Sequence, residues 1–415
     1  MLNRFDIVIR RARLRGQPDQ LFELGLSEGR VAAIEKRISE EAETEIDAQG
    51  NLVTESFVNP HLHLCKAYTL QMLADEESLQ KYHSADMASM MAAVQAAARV
   101  KEKYDESWIV KNARRAVALA ALYGTTHMRA FADVDPKARL EGIKALIRIR
   151  EEFKGIVDIQ VAAFTQEGIV REPGTTDLVR QAMEMGADIV AGYPWHEYTD
   201  ADVVQHVKEV FDIAQQYDRD VSMMADEAGD PGARSLEVTV VEAIKRGWQG
   251  RTLAHQARAM ALYPKPYLEK VVYLLKKARI GIVNNPHNVP LHAPIRELLA
   301  RGVLVCVGQS DVSSAWYPYG RNNMLEVAFL ASHLFWMTSA RDMETLYDMI
   351  TCNAAQAIGL QDFVLKVGAP AHLVVLDAPN VLEALREHAA PSHVISHGKL
   401  IDQAAMKALG GPVSA

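Results

Sequence analysis

The sequence predicts an α/β protein: a (β/α)8 TIM barrel carrying a small β-sandwich assembled from both ends of the chain. Three observations point there. Residues 1–58 alternate apolar and polar positions in short runs, FDIVI at 5–9 and RVAAI at 30–34, divided by turn signals such as Ser27-Glu28-Gly29 and Ala48-Gln49-Gly50, the pattern of half-buried strands. The last fifty residues return to this style in AHLVVLD at 371–377 and VISHGKLI at 394–401. Between them apolar strands alternate with amphipathic helices, the order that builds a parallel sheet through helical crossovers.

Taken in order, barrel strands are expected near 57–61, 125–131, 157–164, 188–192, 220–225, 251–255, 280–284 and 303–308. Helices are expected at 106–122, 136–153, 202–216, 235–246, 265–279, 322–336 and 342–358. In 202–216, Val203, Val207, Val210, Phe211 and Ala214 fall on one face of a 3.6-residue period, as a helix packed on a sheet requires. An open doubly wound sheet would place a Gly-rich loop after its first strand, whereas this strand runs into NPHLHLCK. The domain reading is therefore 1–58 with 364–415 as the composite sandwich and 59–363 as the barrel. Functional groups belong at the C-terminal ends of the barrel strands.

Composition narrows the function. The chain has 415 residues, 45 Lys and Arg against 53 Asp and Glu for a net charge of −8, and 49% hydrophobic residues, which excludes a disordered or disulfide-scaffolded protein. Nucleic acid is not an expected partner, because no basic block is present to neutralise phosphates. Cys65, Cys306 and Cys352 are too few and too scattered for a secreted framework. The start MLNRFDIVIR lacks the apolar core of a signal peptide, and no apolar run reaches a membrane span. A cytoplasmic homo-oligomer acting on a small molecule is the expectation.

The first barrel strand ends in Pro60-His61-Leu62-His63-Leu64-Cys65-Lys66. Side chains two apart on a strand share a face, so His61 and His63 both enter the barrel, where two imidazoles can grip one divalent metal.

With EIDAQGNLV and FVNPHLHL leading into the barrel and VGAPAHLVVLD leaving it, the chain resembles the amidohydrolase superfamily. It is most similar to the cytosine deaminase group, through DIQVAAFTQEG, AQQYDRD, ADE, WYPYG and NML. The resemblance implies hydrolysis of a C–N bond in a small nitrogen heterocycle. It also implies one divalent ion, zinc or iron, held by the His61 and His63 pair, a strand-five His and a strand-eight Asp, with Glu227 shuttling protons. The last two ligand positions are occupied by Met224 and Ser310. Cys65 stands where the family has Asp, Lys66 is retained, and RTHVD reads Arg129-Ala130-Phe131-Ala132-Asp133. His255 matches the His that faces water and substrate, Gln166 the Gln that bonds the ring's amide edge, and Trp316 a pocket aromatic.

With two ligands replaced, the cofactor is either one ion in a rearranged set, drawing on His255, Asp311, Asp226 or Cys65, or none. Three functional readings stay open. One is a hydrolase with a degenerate metal site and Glu227, His255 and Asp311 as its catalytic groups. Another is a metal-independent hydrolase or lyase using Cys65 or Lys66, since a cation beside a thiol favours the thiolate. The third is a non-catalytic binding protein on the same fold. His287 and His292 read as surface loop, and Met223 and the 87–91 methionine run as packing.

Overall fold

The computed structural model describes residues 5–72, 95, 97–287 and 291–411; the 87–91 methionine run lies outside them. Eight strands, β6 (Phe57–Leu62), β7 (Thr125–Asp133), β8 (Asp158–Thr165), β9 (Ile189–Gly192), β10 (Asp220–Ala225), β11 (Thr252–Gln256), β12 (Gly281–Asn284) and β13 (Val305–Val307), pair in chain order. Every pairing is parallel. Helices cross over between them, so the chain is the (β/α)8 barrel its alternation predicts.

The seam between β6 and β13 is closed by side chain as well as backbone. Pro60 has no N–H to offer a ladder, and the Asn59 amide bridges instead. Its Nδ2 donates to Gln309 O at 3.1 Å and its Oδ1 accepts from Gln309 N at 3.1 Å and His61 N at 3.2 Å. His63 N then donates to Ser310 O at 2.8 Å. The HxH pair is thus fixed at the point where the barrel closes.

The flanking sandwich has one sheet ordered β3-β2-β1-β4 from β1 (Phe5–Leu14), β2 (Gln17–Ser27), β3 (Arg30–Glu35) and β4 (Ala42–Asp47). Its partner sheet joins β5 (Val53–Glu55) to the C-terminal β14 (Leu373–Val375), β15 (His393–Ser396) and β16 (Lys399–Leu400). Ile7, Ile9, Leu24 and Leu26 of the first sheet meet Val53, Leu373, Val375 and Ile395 of the second in one buried core. The two ends of the chain therefore share a hydrophobic layer.

Two expected helices differ from observation for identifiable reasons. The window 342–358 is two helices, Ala340–Asp348 and Cys352–Ala357, because the Met349 and Ile350 carbonyls turn away to accept from Val307 N at 3.1 Å and Val58 N at 3.0 Å. The window 136–153 starts late, at Glu141, because Asp135 Oδ1 holds the preceding turn through Lys137 N and Ala138 N. Helix Asp200–Gln216 forms as expected, opened by a reciprocal cap between Thr199 and Asp202, and buries Val207, Val210, Phe211 and Ala214.

Candidate active site

Period two along the strands divides the upper barrel interior into two walls. On β7 to β10 the inward positions are apolar: Phe131, Ala162, Phe164, Ala191 and Met224 form one buried cluster with Tyr193 and Trp195. On the β6 and β11 side they are imidazoles. His61 and His255 are fully buried and His63 nearly so, and Phe131 packs on His61 and His63 with ring centroids 4.5 and 5.4 Å away.

The three rings bond in series. His61 Nδ1 lies 2.8 Å from His255 Nδ1, and His61 Nε2 lies 3.2 Å from His63 Nε2. Burial first, then neighbouring positive charge, pushes all three well below the usual histidine range, so each ring is neutral with one N–H. One donor per ring allows two orders along the chain. In one the spare N–H emerges at His255 Nε2, and in the other at His63 Nδ1; both atoms are buried without a protein partner. The triad thus offers one donor and one acceptor at its two ends.

Glu227 sits just beyond β10 and is buried. Its Oε2 accepts from Trp195 Nε1 at 3.3 Å, and its Oε1 lies 3.2 Å from Arg258 Nη1. Asp311, after β13, accepts from the Ser314 hydroxyl at 2.6 Å and from the Ser310 hydroxyl. Burial raises the Asp311 carboxyl above its ordinary range, against the two serines and Lys66, and the Glu227 charge adds to the rise. Lys66 bonds Gln166 Oε1, pairs with Asp133 Oδ1 at 3.2 Å and lies 4.3 Å from the centre of the Trp316 ring. Gln166 is held from behind by its own carbonyl, which accepts from His196 Nδ1 at 2.9 Å. The geometry therefore gathers His61, His63, His255, Glu227 and Asp311 with Lys66, Gln166 and Trp316 at the C-terminal end of the barrel.

Residues 44–402 match the model of the amidohydrolase family. This chain belongs to the amidohydrolase family. It is 28% identical over 398 residues to N-isopropylammelide isopropyl amidohydrolase of Pseudomonas sp. (strain ADP), covering 96% of this chain and 97% of the relative. The structure of 5-methylcytosine deaminase from Klebsiella pneumoniae, liganded with 5-fluorocytosine, superposes with a TM-score of 0.86 at 32% identity, covering 95% of this chain and 97% of that one. An adenosine deaminase from Xanthomonas campestris, solved with bound zinc, shares the fold at a TM-score of 0.70 and 16% identity, covering 99% of this chain and 98% of that one. Family membership makes this amidohydrolase a hydrolase of C–N bonds other than peptide bonds.

The donor set of this amidohydrolase does not fit a closed zinc or iron site. The 3.2 Å between His61 Nε2 and His63 Nε2 suits two ligands of one ion, since Zn–N bonds of about 2.0–2.1 Å in a tetrahedron place nitrogens about 3.3 Å apart. The other positions do not follow. Met224 lies in the apolar wall, a soft thioether unsuited to either metal, and Ser310 donates to Asp311. Among the described residues no three His, Cys, Asp or Glu side chains are arranged to hold an ion. The substitutes considered from sequence are engaged elsewhere. Asp226 accepts from Ser235 N at 2.7 Å, Ser235 Oγ at 2.6 Å and the Tyr263 hydroxyl. Asp311 is held by its serines, and Cys65 points outward.

Cys65 overturns the thiolate expectation. Its Cβ packs towards Gly142 in helix Glu141–Glu152, and its Sγ accepts from Asp133 N at 3.3 Å. Burial, aided by the Asp133 charge, pushes the thiol up to about 12, against the opposing pull of Lys66. A neutral thiol in the core is no nucleophile, and Lys66 is committed to Asp133 and Gln166.

Sequence reasoning missed three features. Arg258, three residues past His255, is fully buried beside Glu227. Lys101 is fully buried among Asp135 (2.8 Å), Glu167 (2.7 Å) and Asp133 (3.8 Å). His287 and His292 are half-buried rather than surface loop; burial, with Arg258 nearby, brings them down to about 3 and about 4.

Proposed function

We propose that this amidohydrolase cleaves an exocyclic C–N bond of a planar pyrimidine- or triazine-type ring, with Glu227 carrying the proton. The observation that carries the reading is the place of Glu227, a buried carboxylate at the end of the fifth barrel strand, between the aromatic wall at Trp195 and the polar groups at Arg258 and Asp311. The names of the isopropylammelide hydrolase and the methylcytosine deaminase support a ring of this size.

In this reading Phe131, Phe164 and Met224 take the face of the ring, and the Gln166 amide, its oxygen fixed by Lys66, reads the ring edge. Glu227 takes a proton from water as the oxygen adds to the ring carbon. It returns that proton to the exocyclic nitrogen as the C–N bond breaks, releasing an amine or ammonia, while the remaining hydroxyl proton passes to the adjacent ring nitrogen and leaves a ring carbonyl. An N–H from the neutral His255 end of the imidazole chain stabilises the developing oxyanion. The donor set gives no warrant for routing a step through a metal.

The test is release of ammonia or alkylamine from a panel of aminopyrimidines and alkylaminotriazines. Glu227→Gln is expected to lower kcat by about 10²–10⁴-fold with KM changed little. Activity within threefold of the parent, or a panel without any turnover, refutes the reading.

A further inference from the structure

Among the described residues, the fully buried cations Arg129, Lys66 and Lys101 all have protein hydrogen-bond partners. Arg129 near the barrel floor donates Nε to Gln160 Oε1 at 2.9 Å and Nη1 to Ser222 Oγ at 3.0 Å. Lys66 has Gln166 and Asp133, and Lys101 has three carboxylates. Arg258 is as buried as these, yet Nε, Nη1 and Nη2 all lack a hydrogen-bond partner. Its 3.2 Å approach to Glu227 Oε1 involves Nη1 alone and lacks the alignment of a hydrogen bond.

An unpaired buried donor costs about 1–3 kcal/mol and a charged one more, so a guanidinium left this way inside a protein is expected to have a partner that the described residues do not supply. Nη1 faces Glu227, which leaves the edge formed by Nε and Nη2. That edge is the planar two-donor fork that matches a carboxylate or another planar anion. His287 and His292 both lie within electrostatic reach of Arg258, and His287 Nε2 and both ring nitrogens of His292 are buried and unpartnered as well, adding neutral hydrogen-bonding groups in its neighbourhood.

We propose that Arg258, flanked by His287 and His292, is a substrate-anion subsite, and that the ring this enzyme acts on carries a planar anionic group, a carboxylate or a deprotonated ring imide. The proposal rests on the barrel-mouth site described above and specifies its substrate class. Glu227 and the anion occupy different edges of one guanidinium, so binding the anion fixes the ring relative to the base. Arg258 is in this sense a binding and positioning residue.

The test measures binding rather than turnover, by titration calorimetry at pH 7.5 on the full chain. The probes are a six-membered nitrogen heterocycle bearing a carboxylate, the same ring bearing a carboxamide, and an acidic cyclic imide. The carboxylate or the imide is expected to bind at least roughly 30-fold tighter than the carboxamide, and which of the two does so identifies the anion. Arg258→Gln is expected to abolish that preference while carboxamide binding stays within about threefold, and Arg258→Lys, a point charge without the fork, to keep part of it. Equal binding of all three probes by the parent protein overturns the proposal without any variant, as does a preference that survives Arg258→Gln. Anion preference without amine release in the turnover panel would refute the Glu227 chemistry and leave the subsite standing; turnover of neutral rings without anion preference would do the reverse.

Discussion

Removing the Lys101 ammonium leaves three buried carboxylates without their shared cation. Lys101 lies 2.7 Å from Glu167, 2.8 Å from Asp135 and 3.8 Å from Asp133, with no exposed surface. With an effective dielectric of about 20, each of the two close pairs attracts by about 6 kcal/mol and the third by about 4. Desolvation of the ammonium and repulsion among the carboxylates offset most of this, and breaking such a buried set from one side costs about 3–5 kcal/mol net. Lys101→Met is therefore expected to lose that much unfolding free energy at pH 7.5. The pH dependence has a definite sign. Burial alone would raise Asp135 and Glu167, and Lys101 reverses it, holding both below their ordinary values. In the parent their contribution is present above about pH 4 and is lost as they protonate in acid. Without Lys101 the burial effect prevails and both carboxyls titrate above their unfolded values, so acidification stabilises the variant by protonating them. The gap between parent and variant should thus narrow from pH 8 to pH 5.5 in urea unfolding followed by tryptophan fluorescence. A loss below 1 kcal/mol, or a gap independent of pH, refutes the reasoning. Because Asp133 also positions Lys66 against Gln166 and Trp316, substrate KM should rise more than kcat falls.

Two further outcomes follow from the site. Cys65→Ser should retain activity within about threefold, and native Cys65 should resist iodoacetamide at pH 8, because a thiol pushed up to about 12 carries almost no thiolate there; rapid alkylation with loss of activity would restore the nucleophile. Met224→His with Ser310→Asp should gain at least 10- to 100-fold in zinc affinity over the parent, measured by competition with a chromophoric chelator; a parent that already holds one tight equivalent would show that the ligand set is complete.

Much of the fold was legible because its signals are local. The strand phase that places His61 with His63, and the apolar face of Asp200–Gln216, are periodicities read within a few residues. The composite sandwich was visible because both chain ends share one patterning style. The break at Met349–Thr351 was not, since it depends on carbonyls captured by Val58 and Val307, two strands that meet only when the barrel closes. The same reason hid the Lys101 cluster, whose members come from three separate segments and look like ordinary surface charges in the sequence. Cys65 shows the reverse error: a cation and a histidine nearby in sequence suggested activation, while three dimensions turn the thiol to the other side of the strand end. Arg258 carried one usable signal, its place just past a strand end on the catalytic face.

The replaced ligands and the unpaired arginine have a common electrostatic sense. A divalent ion with one ligand carboxylate and neutral histidines brings a net charge of about +1 to a barrel mouth. Here the strand-eight carboxylate is a serine, the strand-five histidine is a methionine inside an aromatic wall, and the fixed guanidinium of Arg258 supplies one positive charge beside Glu227. A guanidinium cannot lower the pKa of a bound water as a metal does, so in the proposed mechanism the work of activating water falls to Glu227 and to whatever positions it. That raises the importance of the groups that aim Glu227, namely Trp195 through its 3.3 Å hydrogen bond and Arg258 on the other oxygen. The same reading accounts for an apolar residue at the strand-five ligand position: Met224 continues the Phe131 cluster as one surface for the face of a planar ring, and leaves the polar wall to handle charge and protons.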